Sequence, residues 1–263
     1  MWFWGDIIVV DSTIRRIVHQ ANTSYLPFLA GSLAFHAFFL SIPLLILVLV
    51  VLSSLTGEAT ITYVVEMTKP YLTTPARKLL ADTIRSGSNR SEVVVLGVGA
   101  LLWILLRIFR GLDIAFATIY DASTHTSIWG QIRSGVVASL AISLALLATF
   151  AVGAIITLFP GIPPVPMLNV ALFVVVLVAV FFPLYYLFPN IEVVVREVLP
   201  GTVVAATGWT IFHVLFQVYA TNALTLEVYG VLGAVLSILI WLYASMFILL
   251  LGAVVNAVLA DRV

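Results

Sequence analysis

Long apolar runs constrain this chain more than any other feature of its sequence. The run from Tyr229 to Leu259 contains no charged residue, and several other runs are nearly as long. An α-helix needs about 20 predominantly apolar residues to cross the hydrocarbon core of a bilayer. Only 9% of the residues are charged, against about 25% in soluble domains. The sequence therefore predicts an integral membrane protein.

Six segments are apolar enough to cross a bilayer. They predict an all-α integral membrane protein that forms a single membrane domain over residues 1–263. The predicted transmembrane helices are 26–55, 93–109, 134–159, 168–188, 199–220 and 229–259.

Two further helical regions are predicted outside the spans. Ser12 to Tyr25 has apolar residues at helical spacing and a polar face with Arg15, Arg16 and His19, which predicts an amphipathic N-terminal helix in the membrane interface. Residues 56–91 predict a small helical hairpin between the first two spans, on the extracytoplasmic side.

The distribution of Lys and Arg predicts the orientation in the membrane. Short loops on the cytoplasmic side carry an excess of basic residues. The short loops 160–167 and 221–228 contain no Lys or Arg, whereas the loops on the other side contain several. We therefore expect a multi-pass protein of the cytoplasmic (inner) membrane with both termini in the cytoplasm.

Four residues are predicted to shape hinges and turns. Pro189 is expected to end the fourth span, and Pro200 with Gly201 to begin the fifth, with an extended connection between them. Pro43 lies within the first span, where it indicates either a hinge in a discontinuous helix or a kink satisfied by Ser41 or a neighbour.

The order of several motifs resembles the YihY/BrkB family of bacterial and archaeal membrane proteins. The motifs are YYLFPN at 185–190, REVLPG at 196–201, Trp209, and the glycine-containing run at 229–259. The first span, with LAGSLAFHAFFLSIPLLILV at 29–48, resembles the N-terminal signature of that family. The resemblance extends over nearly the whole chain.

The resemblance implies a six-helix, oligomeric inner-membrane protein. The family was long labelled ribonuclease BN, and it is also associated with serum resistance and with export. This chain departs from the family pattern at His36, where an aromatic such as Tyr is expected. It also has Val254 and Val255 before Asn256, where the family has an acidic residue.

The residues themselves do not support an enzyme. A ribonuclease needs clustered metal ligands or an acid and base pair beside a phosphate. The chain has no Cys, its four His residues are scattered singly, and no nucleotide-binding or metal-binding motif is present. With a formal net charge of zero and no basic groove, nucleic acid is not an expected partner. We therefore expect no catalytic residues, no metal and no cofactor.

Polar residues within the predicted spans are candidates for a transport pathway, because polar groups inside a bilayer are costly and often functional. Their alternative role is simple helix contact through hydrogen bonds. The candidates are His36 on the first span, Trp209, Thr210, His213 and Gln217 on the fifth, and Ser237, Trp241 and Ser245 on the sixth.

A second candidate site lies at the end of the second span. Arg107, Arg110 and Asp113 are spaced three residues apart, so that Arg110 can pair with Asp113 while Arg107 remains free. The group could bind anionic headgroups or an anionic solute. Simple snorkelling of the arginines to the membrane surface is the alternative.

Two functional hypotheses follow. The first is a transporter or permeability protein for a lipid-like or small amphipathic substrate, without covalent chemistry. The second is a non-transporting envelope scaffold, in which the hairpin at 56–91 recruits protein partners. Membrane lipids and a second copy of the chain are the expected partners.

Overall fold

Most of the described part of the chain is helical. The computed structural model describes residues 3–56, 62–63, 65–66, 78, 81–82, 91–122, 166–223 and 230–263. The long helices in these ranges are α1 (Phe3–Thr23), α2 (Leu26–Thr56), α3 (Ser91–Ile119), α4 (Pro166–Leu187), α5 (Val195–Ala223) and α6 (Gly230–Leu259).

Four of these helices are long and apolar enough to cross a membrane. Their apolar windows are Leu26–Val48, Val94–Ile119, Val195–Tyr219 and Val235–Leu259, and α4 contributes a shorter apolar stretch, Phe173–Leu187. The prediction of an all-α membrane protein is therefore confirmed. The predicted third span, 134–159, and most of the predicted hairpin, 56–91, lie outside the described residues.

Helices α1 and α3 extend about ten residues further than the sequence predicts. Helix α1 begins at Phe3 rather than near Ser12, and α3 continues past residue 109 to Ile119. The continuation of α3 includes Asp113, a charged residue that usually marks a span end. Asp113 is buried and accepts a hydrogen bond from Asn190 Nδ2 at 3.0 Å, which compensates for its removal from water.

Two of the prolines predicted at hinges and turns, Pro43 and Pro200, lie inside helices. Helix α5 begins at Val195, so Pro200 stands in its second turn and the extended connection is limited to residues 192–194. Helix α2 is continuous through Pro43, and Ser41 Oγ donates to Phe38 O at 2.6 Å. Of the two alternatives for Pro43, a discontinuous helix and a kink, the structure does not show the first. Pro189 follows Leu187, the last residue of α4.

The described residues divide into two compact units. The first unit comprises Met1–Leu33, Phe109–Val218 and Tyr243–Val263. The second comprises Ala34–Ile108 and Tyr219–Leu242. In the second unit α2 packs on α3, where a Cβ added to Gly97 would lie 3.2 Å from the side chain of Leu47.

The core of the first unit includes a buried aromatic cluster around Phe116. Its ring lies 5.6 Å from Phe188, 6.0 Å from Tyr185 and 6.4 Å from Tyr120, measured between ring centroids. Phe116 and Tyr185 are fully buried. Aromatic pairs at these separations contribute more stabilisation than the burial of their surface area alone. The cluster therefore stabilises the packing of α3 on α4.

Helices α4, α5 and α6 meet at a single point of close approach. A Cβ added to Gly201 would collide with the carbonyl oxygen of Gly252, and one added to Gly252 would collide with the Tyr185 hydroxyl. Two side-chain hydrogen bonds surround this contact: Tyr185 Oη donates to Leu249 O at 2.6 Å, and Gly201 N donates to Asn256 Oδ1 at 2.6 Å. Small residues permit such close backbone contact between membrane helices.

We expect Gly252→Ala to destabilise the protein, by about 1–3 kcal/mol, because the new methyl group overpacks this contact. Its Cβ would lie 2.7 Å from Gly201 O and 2.9 Å from Ala205 Cβ. The measurement is the Tm of the purified protein in detergent. Gly99→Ala is the matched control, since a Cβ there meets nothing within 4 Å. Equal Tm values for the two variants would contradict the close packing of α5 on α6.

Candidate functional site

The polar residues predicted on α5 adjoin an aromatic group. The ring of His213 stacks on Trp209, with centroids 5.4 Å apart and an interplanar angle of 4°. Phe173 from α4 lies 5.9 Å from Trp209 and 6.0 Å from His213. On its other side, His213 Nε2 is 3.0 Å from Gln217 Nε2. The structure thus brings together Trp209, His213 and Gln217, and adds Phe173.

The contact with Gln217 determines which imidazole nitrogen carries the proton. An amide nitrogen is a hydrogen-bond donor, so His213 Nε2 accepts and, in the neutral ring, Nδ1 carries the hydrogen. Nδ1 is buried and has no hydrogen-bond partner among the described residues. His213 therefore presents a buried polar donor within the apolar window of α5.

A second buried polar atom lies at the same level on α6. Ser245 Oγ is buried and lacks a hydrogen-bond partner in the described part of the chain. Gly201 lies against Gly252, and Gly208 lies against Ile248, so α5 and α6 run antiparallel. Continuing this register places Ser245 level with Phe212, next to His213 in the sequence. Helices α5 and α6 thus each carry, at a similar depth, a buried polar atom without a hydrogen-bond partner among the described residues.

Thr210 has a different environment. It is buried, and its hydroxyl donates to Ala206 O, one turn earlier on the same helix, at 2.7 Å. The donor is thus used within α5, as is common for Thr in membrane helices.

The remaining predicted pathway residues belong to the second unit. His36 is half-buried on α2 and makes an edge-on contact with Phe35, with ring centroids 6.0 Å apart. Ser237 and Trp241 are half-buried on α6. The predicted pathway residues are therefore divided between the two units.

The predicted group of Arg107, Arg110 and Asp113 is divided between the two units, with Arg107 in the second and Arg110 and Asp113 in the first. Arg107 is exposed and its guanidinium lies 5.1 Å from the ring centroid of Trp103, a cation–π contact suited to the membrane interface. Arg110 is also exposed. Asp113 is buried and binds Asn190 in the connection after α4. Its carboxylate therefore positions that connection.

Sequence reasoning missed a set of polar contacts at the helix ends of the first unit. We call it the helix-end layer; it consists of Arg16, Gln20, Glu197, Asp261 and Arg262. Arg262 Nη2 contacts both carboxylate oxygens of Glu197, at 3.2 and 3.1 Å, and donates to the carbonyl of Glu192 at 3.1 Å. Sixty-five positions separate Arg262 from Glu197, so no local sequence pattern could indicate the pair.

The amphipathic helix α1 supplies the other half of the helix-end layer. Arg16 Nη2 donates to Asp261 Oδ1 at 2.7 Å and to Val258 O at 3.3 Å. Gln20 Nε2 donates to Ile119 O at 2.9 Å. The last carbonyls of a helix lack partners within it and carry partial negative charge. Helix α1 thus caps the C-terminal ends of α3 and α6.

Tyr120 lies beside this layer, just after the end of α3. Burial raises the pKa of its hydroxyl well above the ordinary value, and the Glu197 carboxylate raises this pKa further, while Arg262 lowers it. The hydroxyl therefore stays protonated and neutral at physiological pH.

The described residues include no group of three or more His, Cys, Asp or Glu that could hold a metal ion.

We expect a polar path at the level of His213 and Ser245 to admit small polar thiol reagents. The chain has no native Cys, so single substitutions give a clean signal. His213→Cys and Ser245→Cys should react readily in the membrane-embedded protein. Ile211→Cys should not, because Ile211 is exposed on the opposite side of α5, where lipid covers it. Equal reactivity at all three positions would count against a localised path.

Comparison with known proteins agrees with this membrane architecture. The chain is 26% identical to a UPF0761 membrane protein of Photobacterium profundum, over 94% of this chain and 79% of that protein. It is 25% identical to a UPF0761 membrane protein of Rhodospirillum rubrum, over 92% of this chain and 57% of that protein.

A shorter match is 40% identical over 88 residues to YfkH of Bacillus subtilis, which is named a putative ribonuclease-like protein. It covers 33% of this chain and 32% of YfkH, so the chain matches only about a third of that protein's length.

No solved structure matches the chain at a significant level. Residues 17–263 match the family described as Virulence factor BrkB. The resemblance is thus confirmed, and the chain belongs to the BrkB family of membrane proteins.

Proposed function

We propose that this protein is a transporter or permeability protein for a lipid-like or small amphipathic substrate, and that it performs no covalent chemistry. The observation that carries the proposal is the environment of His213. An imidazole with a buried nitrogen that has no partner among the described residues lies in the apolar window of α5, against two aromatic rings.

A polar group in this position is costly unless it serves a function. An unsatisfied buried donor lowers stability by about 1–3 kcal/mol, and an ionisable residue within a membrane span marks a functional site by default. Ser245 adds a second buried polar atom without a hydrogen-bond partner among the described residues, at a similar depth on α6. Two such groups on neighbouring helices are explained if polar parts of a substrate contact the bundle at this depth.

The neighbouring side chains favour an amphipathic substrate. Trp209 and Phe173 offer apolar ring faces, while His213 and Gln217 offer polar edges within one turn of α5. A molecule with an apolar body and a polar head can contact both surfaces at once. A small anion would gain little binding free energy from the aromatic rings, and a pure hydrocarbon would gain little from the imidazole.

The proposal excludes a ribonuclease activity for this chain. Cleavage of a phosphodiester requires groups that move protons beside the phosphate or ligands that hold a metal. His19, His36 and His213 stand singly on different helices, and the sequence provides no Cys nucleophile. Transport requires only binding and release, which the group around His213 can supply.

The transport proposal is tested by reconstitution into phosphatidylcholine vesicles. The probes are a fluorescent short-chain phospholipid, followed by quenching from outside, and a fluorescent amphipathic cation, followed by efflux. The wild-type protein should accelerate the movement of at least one probe over empty vesicles. His213→Ala should lower that rate at least about tenfold, equivalent to about 1.4 kcal/mol.

Ile211→Ala is the control for this experiment, because it shortens an exposed side chain on the opposite side of the same helix. It should retain the wild-type rate. If neither probe moves faster than in empty vesicles, or if the two variants lose activity equally, the transport proposal fails. The scaffold hypothesis would then be the better account, and the predicted hairpin at 56–91 would be the place to look for protein partners.

We further propose that the protein resides in the cytoplasmic membrane with both termini in the cytoplasm, on the basis of the Lys and Arg distribution. A thiol-reactive reagent that does not cross membranes tests this. Arg196→Cys, at an exposed position before the main body of α5, should react only in inside-out vesicles. Tyr63→Cys, also exposed, should react only in intact cells or spheroplasts. The reverse pattern would invert the proposed topology.

A further inference from the structure

We propose that the outward face of α1 is seated in the interfacial layer of the bilayer. In this arrangement Ile14 and Val18 contact the acyl chains, and Arg15 and His19 lie at the level of the lipid headgroups. The inference concerns a different surface from the group around His213 and does not depend on the transport proposal.

The inner side of α1 fixes the rotation of this helix. Arg16 binds Asp261 and the carbonyl of Val258, and Gln20 binds the carbonyl of Ile119. These contacts attach one edge of α1 to the ends of two other helices. Residues on the remaining surface therefore point away from the first unit in a defined direction.

The direction follows from helix geometry. Successive residues turn by about 100°, so Ile14 and Val18 lie about 160 to 200° around α1 from Arg16. Arg16 reaches Asp261, which follows the apolar window of α6 that ends at Leu259. The edge with Arg16 is thus turned to the polar end of α6. The opposite edge, with Ile14 and Val18, is turned away from that end, and we infer that it contacts the apolar layer.

The exposed side chains on that edge match a lipid environment. Ile14 is 53% exposed and Val18 is 54% exposed, although both are apolar. Tyr25 and Phe28, which follow α1, are 71% and 76% exposed. Phe28 lies within the apolar window Leu26–Val48 of α2, so its surroundings in a membrane are lipid. The apolar edge of α1 therefore continues a lipid-facing surface.

The adjoining edge of α1 suits the headgroup region. Arg15 and His19 are one turn apart and both are exposed. Tyr25 is an aromatic residue with a polar end, a type enriched where membrane meets water. In the sequence Asp11 precedes Arg15 by four residues and offsets part of its charge. The outward face of α1 therefore suits the interfacial layer as a whole, which has an apolar inner part and a polar outer part. It does not point to an anionic lipid in particular.

Spin-label depth measurements test this inference on the full-length protein. Single labels are attached at Ile14→Cys, Val18→Cys, Arg15→Cys and His19→Cys in vesicles of phosphatidylcholine and phosphatidylglycerol. The accessibility to oxygen, which concentrates in the membrane, is compared with that to a water-soluble nickel chelate. We expect the oxygen-to-nickel ratio at positions 14 and 18 to exceed that at 15 and 19 several-fold.

Other outcomes would overturn the inference. High nickel accessibility at all four positions would place the face in water, open to a soluble partner. Low accessibility to both reagents at all four would show that protein covers it, as in a dimer of this chain. A Tm close to that of the wild type confirms the fold of each labelled protein. If the transport assay fails, positions 14 and 18 should still lie deeper in the membrane than positions 15 and 19. The two proposals can therefore fail independently.

The contact to Asp261 provides a second test. Arg16→Gln removes the ion pair that helps to fix the rotation of α1. In the Val18→Cys and His19→Cys proteins, Arg16→Gln should reduce the difference between the two oxygen-to-nickel ratios at least about twofold, because α1 can rotate once the ion pair is lost. An unchanged contrast would show that the ion pair does not set the rotation.

Discussion

The close approach of α5 to α6 is the constraint on which the first unit depends. At Gly201 and Gly252 the two backbones leave no room for a methyl group, and the Tyr185 hydroxyl fills the remaining space from α4. In a bilayer the hydrophobic effect does not drive helices together, so contact distance and hydrogen bonds decide the packing. The hydrogen bond from Gly201 N to Asn256 Oδ1 then fixes the register. That register sets the depth at which Ser245 and His213 lie.

The helix-end layer supplies hydrogen-bond donors to helix ends at the edge of the same unit. Carbonyl groups at the ends of α3 and α6 have no partners within their own helices. Arg16 and Gln20 of α1 supply donors to them, and Arg262 links the end of α6 to the start of α5 through Glu197. Exposed ion pairs stabilise a protein only weakly. The contribution of Arg16 and Gln20 is chiefly geometric, because together they hold α1 in one orientation.

Local features of the sequence, namely long apolar runs and ordered motifs, were sufficient to predict the class and the family. Helical periodicity also predicted that Thr210, His213 and Gln217 share one side of a helix, with Trp209 beside His213. Trp209, His213 and Gln217 do lie together, whereas the Thr210 hydroxyl bonds within α5. Neither Phe173 beside them nor the pairing of Arg262 with Glu197 could be predicted, because both depend on packing between distant segments. The predicted start of α5 at Pro200 was wrong for a related reason, since the helix begins at Val195. A proline is an unlikely member of an isolated helix, but here the surrounding contacts, including that of Gly201 with Asn256, support the helix through it.

The capping role of α1 has a consequence for how the protein is made. Helix α1 leaves the ribosome well before its partners, because Ile119 lies 99 positions after Gln20 and Val258 lies 242 positions after Arg16. Until α6 has been synthesised and inserted, Arg16 lacks both of its acceptors, Val258 and Asp261. Helix α1 thus reaches its final contacts late, and during biogenesis the membrane surface must hold it until α6 is in place.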